Sequence, residues 1–290
     1  MQEFFKDKNK NFLEPALYVL ATPIGNTGDI TIRGLETLQQ TEIIFCEDTR
    51  ITKNLLNLYD IHNKKFYTYN NYSTDDERKR IIQLVQDGNP VVLVSDAGTP
   101  LISDPGFKLV KMCNQNNIRI IPVGGISASI TALSSAGISS DKFIFYGFLS
   151  PKIKEKEKEL SQILSNEYST ICYETSNRLI DTLKIINKID SERTICVARE
   201  LTKKFEDIKT DTCSNILQYY TQNNDKLKGE IVLIIEKTEK SKKLDFDNLD
   251  SILKASLEYL SVKDSSELLS KIYGINKKEL YNKLLTINGK

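Results

Sequence analysis

Eight short apolar runs recur along the chain: LYVLA (17–21), EIIFC (42–46), PVVLV (90–94), IRIIPV (118–123), FIFYGF (143–148), STICY (169–173), TICVA (194–198) and EIVLIIE (230–236). Runs of this length rich in Val and Ile predict buried strands. Amphipathic stretches lie between most of them. ITKNLLNLY carries Leu55, Leu56 and Leu58, and NRLIDTLKIINKI sets Leu179, Ile180, Leu183, Ile186 and Ile189 at helical spacing. Alternating strand and helix predicts an α/β fold with a mostly parallel sheet. Two halves are expected, 15–123 and 124–238, after a flexible leader at 1–14, with the chain crossing between them near PVGGISA (122–128). TEKSKKLDFDN (238–248) is charged and has no apolar period, so 239–290 reads as a linker and a small helical domain. Within it, SSELLSKIYGINKKELYNKLL predicts two short helices around Tyr273, Gly274, Ile275 and Asn276, which fits a helix-turn-helix or a plain helical cap. KIKEKEKEL (152–160) alternates in charge and predicts a solvated helix face.

Composition narrows the chemistry. Lys and Arg total 40 against 39 Asp and Glu in 290 residues, a net charge of +1, which excludes a chain-wide basic coat. No apolar run approaches the ~20 residues of a membrane span. The opening MQEFFKDKNKNF lacks a signal-type apolar stretch, so a cytoplasmic location is expected. The five cysteines (Cys46, Cys113, Cys172, Cys196 and Cys213) form no CxxC pair, and His62 is the sole histidine. No metal site is expected. The chemistry falls to carboxylates, hydroxyls, backbone groups, Lys, Arg or Tyr.

Ligands of open α/β sheets bind beyond the carboxyl ends of the strands. The unusual residues collect there, in TPIGNTGD (22–29), EDTR (47–50), SDAGTPLISDPG (95–106), GGISA (124–128), ETSNR (174–178) and RELTK (199–203). In 95–106 the glycines admit a ligand close to the backbone, and Asp96 is placed to accept hydrogen bonds from a ribose, an amine or an adenine edge. Ser103 or Asp104 is expected to cap the next helix, with Pro105 in its first turn. Asp29 or Thr31 caps an earlier one. GGISAS presents a helix N-terminus to an adenosine or carboxylate. In EDTR, Arg50 can hold a phosphate and Asp48 can accept a proton; an ion pair capping the following helix fits the same residues. There is no GxGxxG and no GxxxxGK, so a nicotinamide or P-loop nucleotide is a poor fit.

LYVLATPIGNTGDITIRGLETL, FCEDTR, LVSDAGTPLISDPG, YETSNRLIDTL, VARELTKKFE and KGEIVLIIE follow in order across residues 17–236. This set resembles the tetrapyrrole-methylase superfamily of S-adenosylmethionine enzymes. Within it the sequence looks like the branch that methylates a cytidine ribose 2'-hydroxyl in 16S rRNA of the small ribosomal subunit. SVKDSSELLSKIYGINKKELYNKLL resembles the small helical domain of that branch. The resemblance implies two α/β domains with S-adenosylmethionine in the cleft between them, and a homodimer. It places donor contacts at Pro23, Asp96, Ala97, Gly98, Thr99, Pro100, Ile102, Ser103, Gly125, Ser127, Ala128, Tyr173 and Ala198, with Gly229 closing the pocket. The family pattern has Pro-Gly-Pro where this chain has Gly124, Gly125 and Ile126, and Ser-Pro-His-Arg at 175–178 where it has Thr, Ser, Asn and Arg. Loss of the prolines should loosen the first loop, and loss of the His argues against an essential imidazole or against full activity in this chain.

Methyl transfer to a hydroxyl needs alignment and a base. Asp48 is the first candidate base, with Arg50 orienting a phosphate, and Glu174, Arg199 and Glu200 follow. On that assignment Asp48→Asn abolishes transfer while the donor still binds. Alternative readings are a tetrapyrrole carbon methyltransferase and a catalytically silent RNA-binding assembly protein. For an RNA enzyme of near-zero charge, positive charge must be local, near Arg33, Arg50, Lys53, Arg178, Arg199, Lys203 and the tail, or pooled across a dimer.

Overall fold

The computed structural model describes residues 13–223, 227–238 and 246–289. Most of the expected leader and linker lie outside them, but Leu13 packs on the core and Glu14 pairs with Arg119. The chain divides into a unit ending at Lys237 and a unit starting at Thr238.

The first unit begins with β1 (Leu17–Leu20), α1 (Ile32–Gln40), β2 (Ile43–Cys46), α2 (Thr49–Asn57), β3 (Lys65–Thr68), α3 (Asp75–Gln86), β4 (Val91–Val94), α4 (Phe107–Gln115) and β5 (Ile120–Val123). Its strands form a fully parallel sheet in the order β3-β2-β4-β1-β5. Parallel strands covered on both faces must be apolar throughout. Tyr18, Leu20, Ile44, Cys46, Val92 and Val94 duly pack one way, and Leu17, Ile43, Phe45, Val91 and Leu93 the other. From the neighbours β1 and β4 the chain departs in opposite directions, to β2 and to β5, which opens a crevice beyond their carboxyl ends.

After residues 124–127 come α5 (Ala128–Ser135), β6 (Phe143–Phe148), α6 (Ile153–Leu164), β7 (Ser169–Thr175), α7 (Ser176–Ile189), β8 (Thr194–Arg199), β9 (Asp207–Thr212), α8 (Cys213–Gln222) and β10 (Glu230–Ile235). The second sheet runs β6-β7-β10-β8-β9. It corrects the expectation of parallel strands: only β6 and β7 are parallel, and β10 is antiparallel to both β7 and β8. Consequently the start of β10 lies beside the ends of β7 and β8. Two strands lacked an apolar run, β3 (KFYT) and β9 (DIKTDT). Both are edge strands, half-buried at most, and need no continuous apolar stretch.

The alternating charges of α6 are also not all solvated. Lys156 is buried and its Nζ lies 2.8 Å from Glu174 Oε2 and 2.9 Å from Thr182 Oγ1. Thr182 donates to the same Glu174 oxygen at 2.7 Å, and Arg178 Nη2 lies 2.7 Å from Glu174 Oε1. The network ties α6 and α7 to the end of β7.

In the second unit α9 (Phe246–Leu257), α10 (Val262–Tyr273) and α11 (Lys277–Ile287) enclose Leu249, Leu253, Leu269, Leu280 and Leu284. Gly274 ends α10 with φ +67°, the left-handed conformation that glycine adopts freely, and Asn276 caps α11. Among the described residues no helix is long and apolar enough to cross a membrane.

Removing one partner of a buried ion pair leaves an uncompensated charge. Lys156→Met should therefore lower the unfolding free energy by about 3–5 kcal/mol in urea titration. Adding Glu174→Leu should restore much of it; a double variant no more stable than the single one contradicts this account of α6.

Candidate active site between the two sheets

A cavity of about 380 Å³ opens where the strand ends of the two sheets face each other. The first sheet contributes the loop after β4. Thr22 and Gly98 exchange backbone hydrogen bonds at 2.8 and 3.0 Å, joining this loop to the one after β1. Gly98 holds φ +78°, and an added Cβ there would meet only Ile24 Cγ2, at 3.4 Å. Further on, Leu101 and Ser103 are held at φ +74° and +66°, conformations that side chains other than glycine adopt at a cost. The N-cap of α4 is Gly106, with no side-chain cap, so neither Ser103 nor Asp104 caps that helix. Both line the cavity instead. Thr31 is the cap of α1.

The second sheet contributes Phe148, Tyr173, Glu174, Thr175, Ala198 and Leu201, and from β10 and the residue before it Gly229, Glu230, Ile231 and Val232. The two sides interlock at a seam. Asn26 N donates to Thr202 Oγ1 at 3.0 Å, and a Cβ on Gly25 would lie 2.5 Å from Lys203 Cγ. Gly229 sits at φ +93°, and Glu200 occupies the space a side chain would need: a Cβ would come within 2.3 Å of Glu200 Cδ.

Three carboxylates from the first sheet face this cavity, and among the described residues none is ion-paired. Burial, reinforced by the charges of Asp104 and Asp96, raises Glu47 to about 7. Burial, with Asp96 adding to it, raises Asp104 to about 6 against a hydrogen bond from Ser95. Asp96 is also raised, by burial and by Asp48, although it accepts Asp48 N at 3.1 Å. The cavity therefore suits a cation, and at neutral pH Glu47 is poised to take or hold a proton.

Of the residues expected to hold the donor, Asp96, Ala97, Gly98, Thr99, Ile102, Ser103, Ser127, Ala128, Tyr173, Ala198 and Gly229 line the cavity. Pro23, Pro100 and Gly125 do not; Gly125 instead lets the chain pass Ala21, where a Cβ would approach Ala21 Cβ to 2.9 Å. Of the expected catalytic residues only Glu174 lines it, and its carboxylate is taken up by Lys156, Arg178 and Thr182. Asp48 is the N-cap of α2, accepting Arg50 N at 2.8 Å, and pairs with the Arg50 guanidinium at 2.6 Å. The hydrogen bond from Arg50 holds its carboxyl down at about 2, a weak base. Glu200 is bound to Lys203 and to Glu230 N, and Arg199 lies outside the cavity beside Lys228 O. The pattern EDTR does not distinguish Glu47 from Asp48, the cap expected at Ser103 or Asp104 is Gly106, and the start of β10 carries no local mark. The first is a choice between neighbours on one strand end. The last follows from antiparallel pairing that no local pattern shows.

Residues 16–217 match the family described as tetrapyrrole (corrin/porphyrin) methylases, and residues 244–288 match the RsmI C-terminal HTH domain. The chain belongs to the tetrapyrrole methylase family, and it is a methyltransferase. It is 40% identical over 91% of its length to "Ribosomal RNA small subunit methyltransferase I" of Haemophilus influenzae, covering 94% of that protein. With the protein of the same name from Rickettsia prowazekii it shares 46% identity over 77% of this chain and 79% of that one. A solved structure with the same fold is uroporphyrin-III C-methyltransferase of Thermus thermophilus complexed with S-adenosylhomocysteine. It matches with a TM-score of 0.51 and 10% identity, over 76% of this chain and 97% of that one.

A carboxyl whose folded pKa is raised binds its proton more tightly in the native state. Its stabilising contribution is full below the ordinary carboxyl range and is lost as pH rises through the raised value. The ligand-free protein should lose stability from Asp104 and Glu47 as pH rises from about 4 through about 7. Glu47→Gln should remove the upper part of that loss in Tm measured against pH. Superimposable wild-type and variant profiles contradict the assignment.

Proposed function

We propose that this chain transfers a methyl group from S-adenosylmethionine to the 2'-hydroxyl of a cytidine ribose in 16S rRNA of the small ribosomal subunit, in the cytoplasm and as a homodimer. The supporting observation is the cavity itself, where loops of the methylase family surround three carboxylates that have no internal cation. The relatives named for ribosomal RNA of the small subunit supply the substrate class.

The residues present fit the donor. A sulfonium and an ammonium suit a cavity made acidic by Glu47, Asp96 and Asp104. Gly98 leaves its backbone open to close approach, and Ile24, Ala128, Ala198 and Val232 offer apolar surface. When bound, S-adenosylmethionine supplies an electrophilic methyl group on a positively charged sulfur.

The chain's own residues orient the ribose and move its proton. Glu47 takes the proton from the hydroxyl, since near neutral pH much of its carboxyl is ionised yet still basic. Asp96 and Asp104 keep it basic through their charge. Asp48 closes α2 and fixes the strand end that carries Glu47. Glu174 works through its neighbours, accepting Thr175 N at 2.9 Å and so holding the turn into α7. Arg178, partly exposed at that turn and braced by Thr175 Oγ1 at 3.1 Å, is placed for phosphate contact.

Methyl incorporation into small subunits tests these roles. Glu47→Gln should lower kcat by about 10²–10⁴-fold with donor binding still measurable. Asp48→Asn preserves a good helix cap and should stay within a fewfold of wild type. Asp96→Ala should weaken donor binding by about ten- to a hundredfold. Loss of transfer in Asp48→Asn with Glu47→Gln unaffected overturns the choice of base.

A further inference from the structure

The second sheet carries an irregularity at the cavity that the donor chemistry leaves unexplained. Along β6 and β7 the register runs Phe143 to Ser169, Ile144 to Thr170 and Phe145 to Ile171, then jumps to Gly147 opposite Cys172 and Phe148 opposite Tyr173. One extra residue is inserted, a β-bulge. Gly147 accommodates it at φ +81°.

In a regular strand, side chains three apart point to opposite faces. The inserted residue cancels that alternation, so Phe145 and Phe148 share the face of Ile171 and Tyr173. Both rings contact Tyr173 edge-on, with centroids at 5.0 and 5.3 Å. Phe145 is half-buried, packed with the apolar cluster under α5. Phe148 lines the cavity but remains 55% exposed. From the first sheet Ile102, 43% exposed, adds a second uncovered apolar surface to the same cavity. The bulge therefore aims an aromatic ring into the reaction cavity and leaves its surface wet.

We propose that Phe148 is the stacking platform for the base of the target nucleotide, with Ile102 supplying apolar contact from the first sheet. This rests on the reading of the cavity as an RNA ribose methylation site. A ribose hydroxyl inside a folded RNA reaches an enclosed cavity only if its nucleotide leaves its neighbours, and an unstacked base seeks another flat apolar surface. An aromatic ring offers one whatever the base, so Phe148 holds the nucleotide without reading its identity. Tyr173, edge-on behind it, and the bulge at Gly147 fix the ring's orientation.

The test uses the full-length protein, small ribosomal subunits lacking the modification and radiolabelled S-adenosylmethionine. Donor affinity is measured separately by calorimetry. Phe148→Ala should lower kcat/KM for subunits by about ten- to a hundredfold while donor Kd and Tm stay near wild type. Phe148→Tyr should keep most of the activity and Phe148→Leu should not. Leu as active as Tyr overturns stacking in favour of a simple apolar seal. A donor Kd weakened in parallel overturns it in favour of a donor contact, and an unimpaired Phe148→Ala overturns it outright. If the wild type itself labels no RNA, the failure belongs to the functional reading, not to Phe148.

Discussion

Three carboxylates held close together in a half-dry cavity without a cation are the feature around which this structure is arranged. Glu47, Asp96 and Asp104 repel one another and lose hydration, and their protons are held correspondingly tightly. Such an arrangement costs stability unless a cationic ligand relieves it. On the proposed reading a sulfonium donor relieves it, its charge favouring the ionised carboxylates and so drawing off their protons as it binds. On that reading the ligand preference and the proton acceptor come from one electrostatic arrangement.

The arrangement exists only because two sheets of different construction meet end to end. The parallel sheet delivers all three acids from the loops after β2 and β4. The mixed sheet delivers the aromatic and apolar wall, partly through the reversed strand β10. Backbone in the left-handed region gathers at the join, at Gly98, Leu101, Ser103, Gly147, Glu200, Thr202 and Gly229. Surrounding contacts keep these conformations in place: Glu200 fills the space beside Gly229, and Thr202 receives the Asn26 N–H. The Lys156–Glu174–Arg178 network does similar work behind β7, bracing the strand end that carries Tyr173 and Glu174.

Much of this was legible in the residues. Eight strands showed as apolar runs, although β5 and β6 at the sheet edges are only partly buried, and the SDAGTP loop announced itself by its glycines and acids. The turn at Gly274 also stood out. What was hidden depended on partners distant in sequence. The edge strands β3 and β9 bury too little to need an apolar pattern. The reversal of β10 is a pairing choice made among strands already apolar throughout. Asp48 and Glu47 are neighbours of the same type, and only the position of Arg50 and the packing of Asp104 separate a capping carboxylate at about 2 from a cavity carboxylate at about 7. Lys156 looked like one charge among many until Glu174, eighteen residues on, was seen beneath it.

The near balance of basic and acidic residues now has a sharper meaning. Three of the 39 acids are concentrated in the cavity, where they favour a cation. On the proposed reading the positive charge that meets RNA lies around them, as at Arg178. The most direct measurement of the account is mass mapping of nucleosides from 16S rRNA after unmodified small subunits react with this protein and a heavy-methyl donor. The account predicts one heavy methyl group, on the ribose of a cytidine. A methyl group on a base, or none on RNA while a tetrapyrrole is methylated, would contradict it.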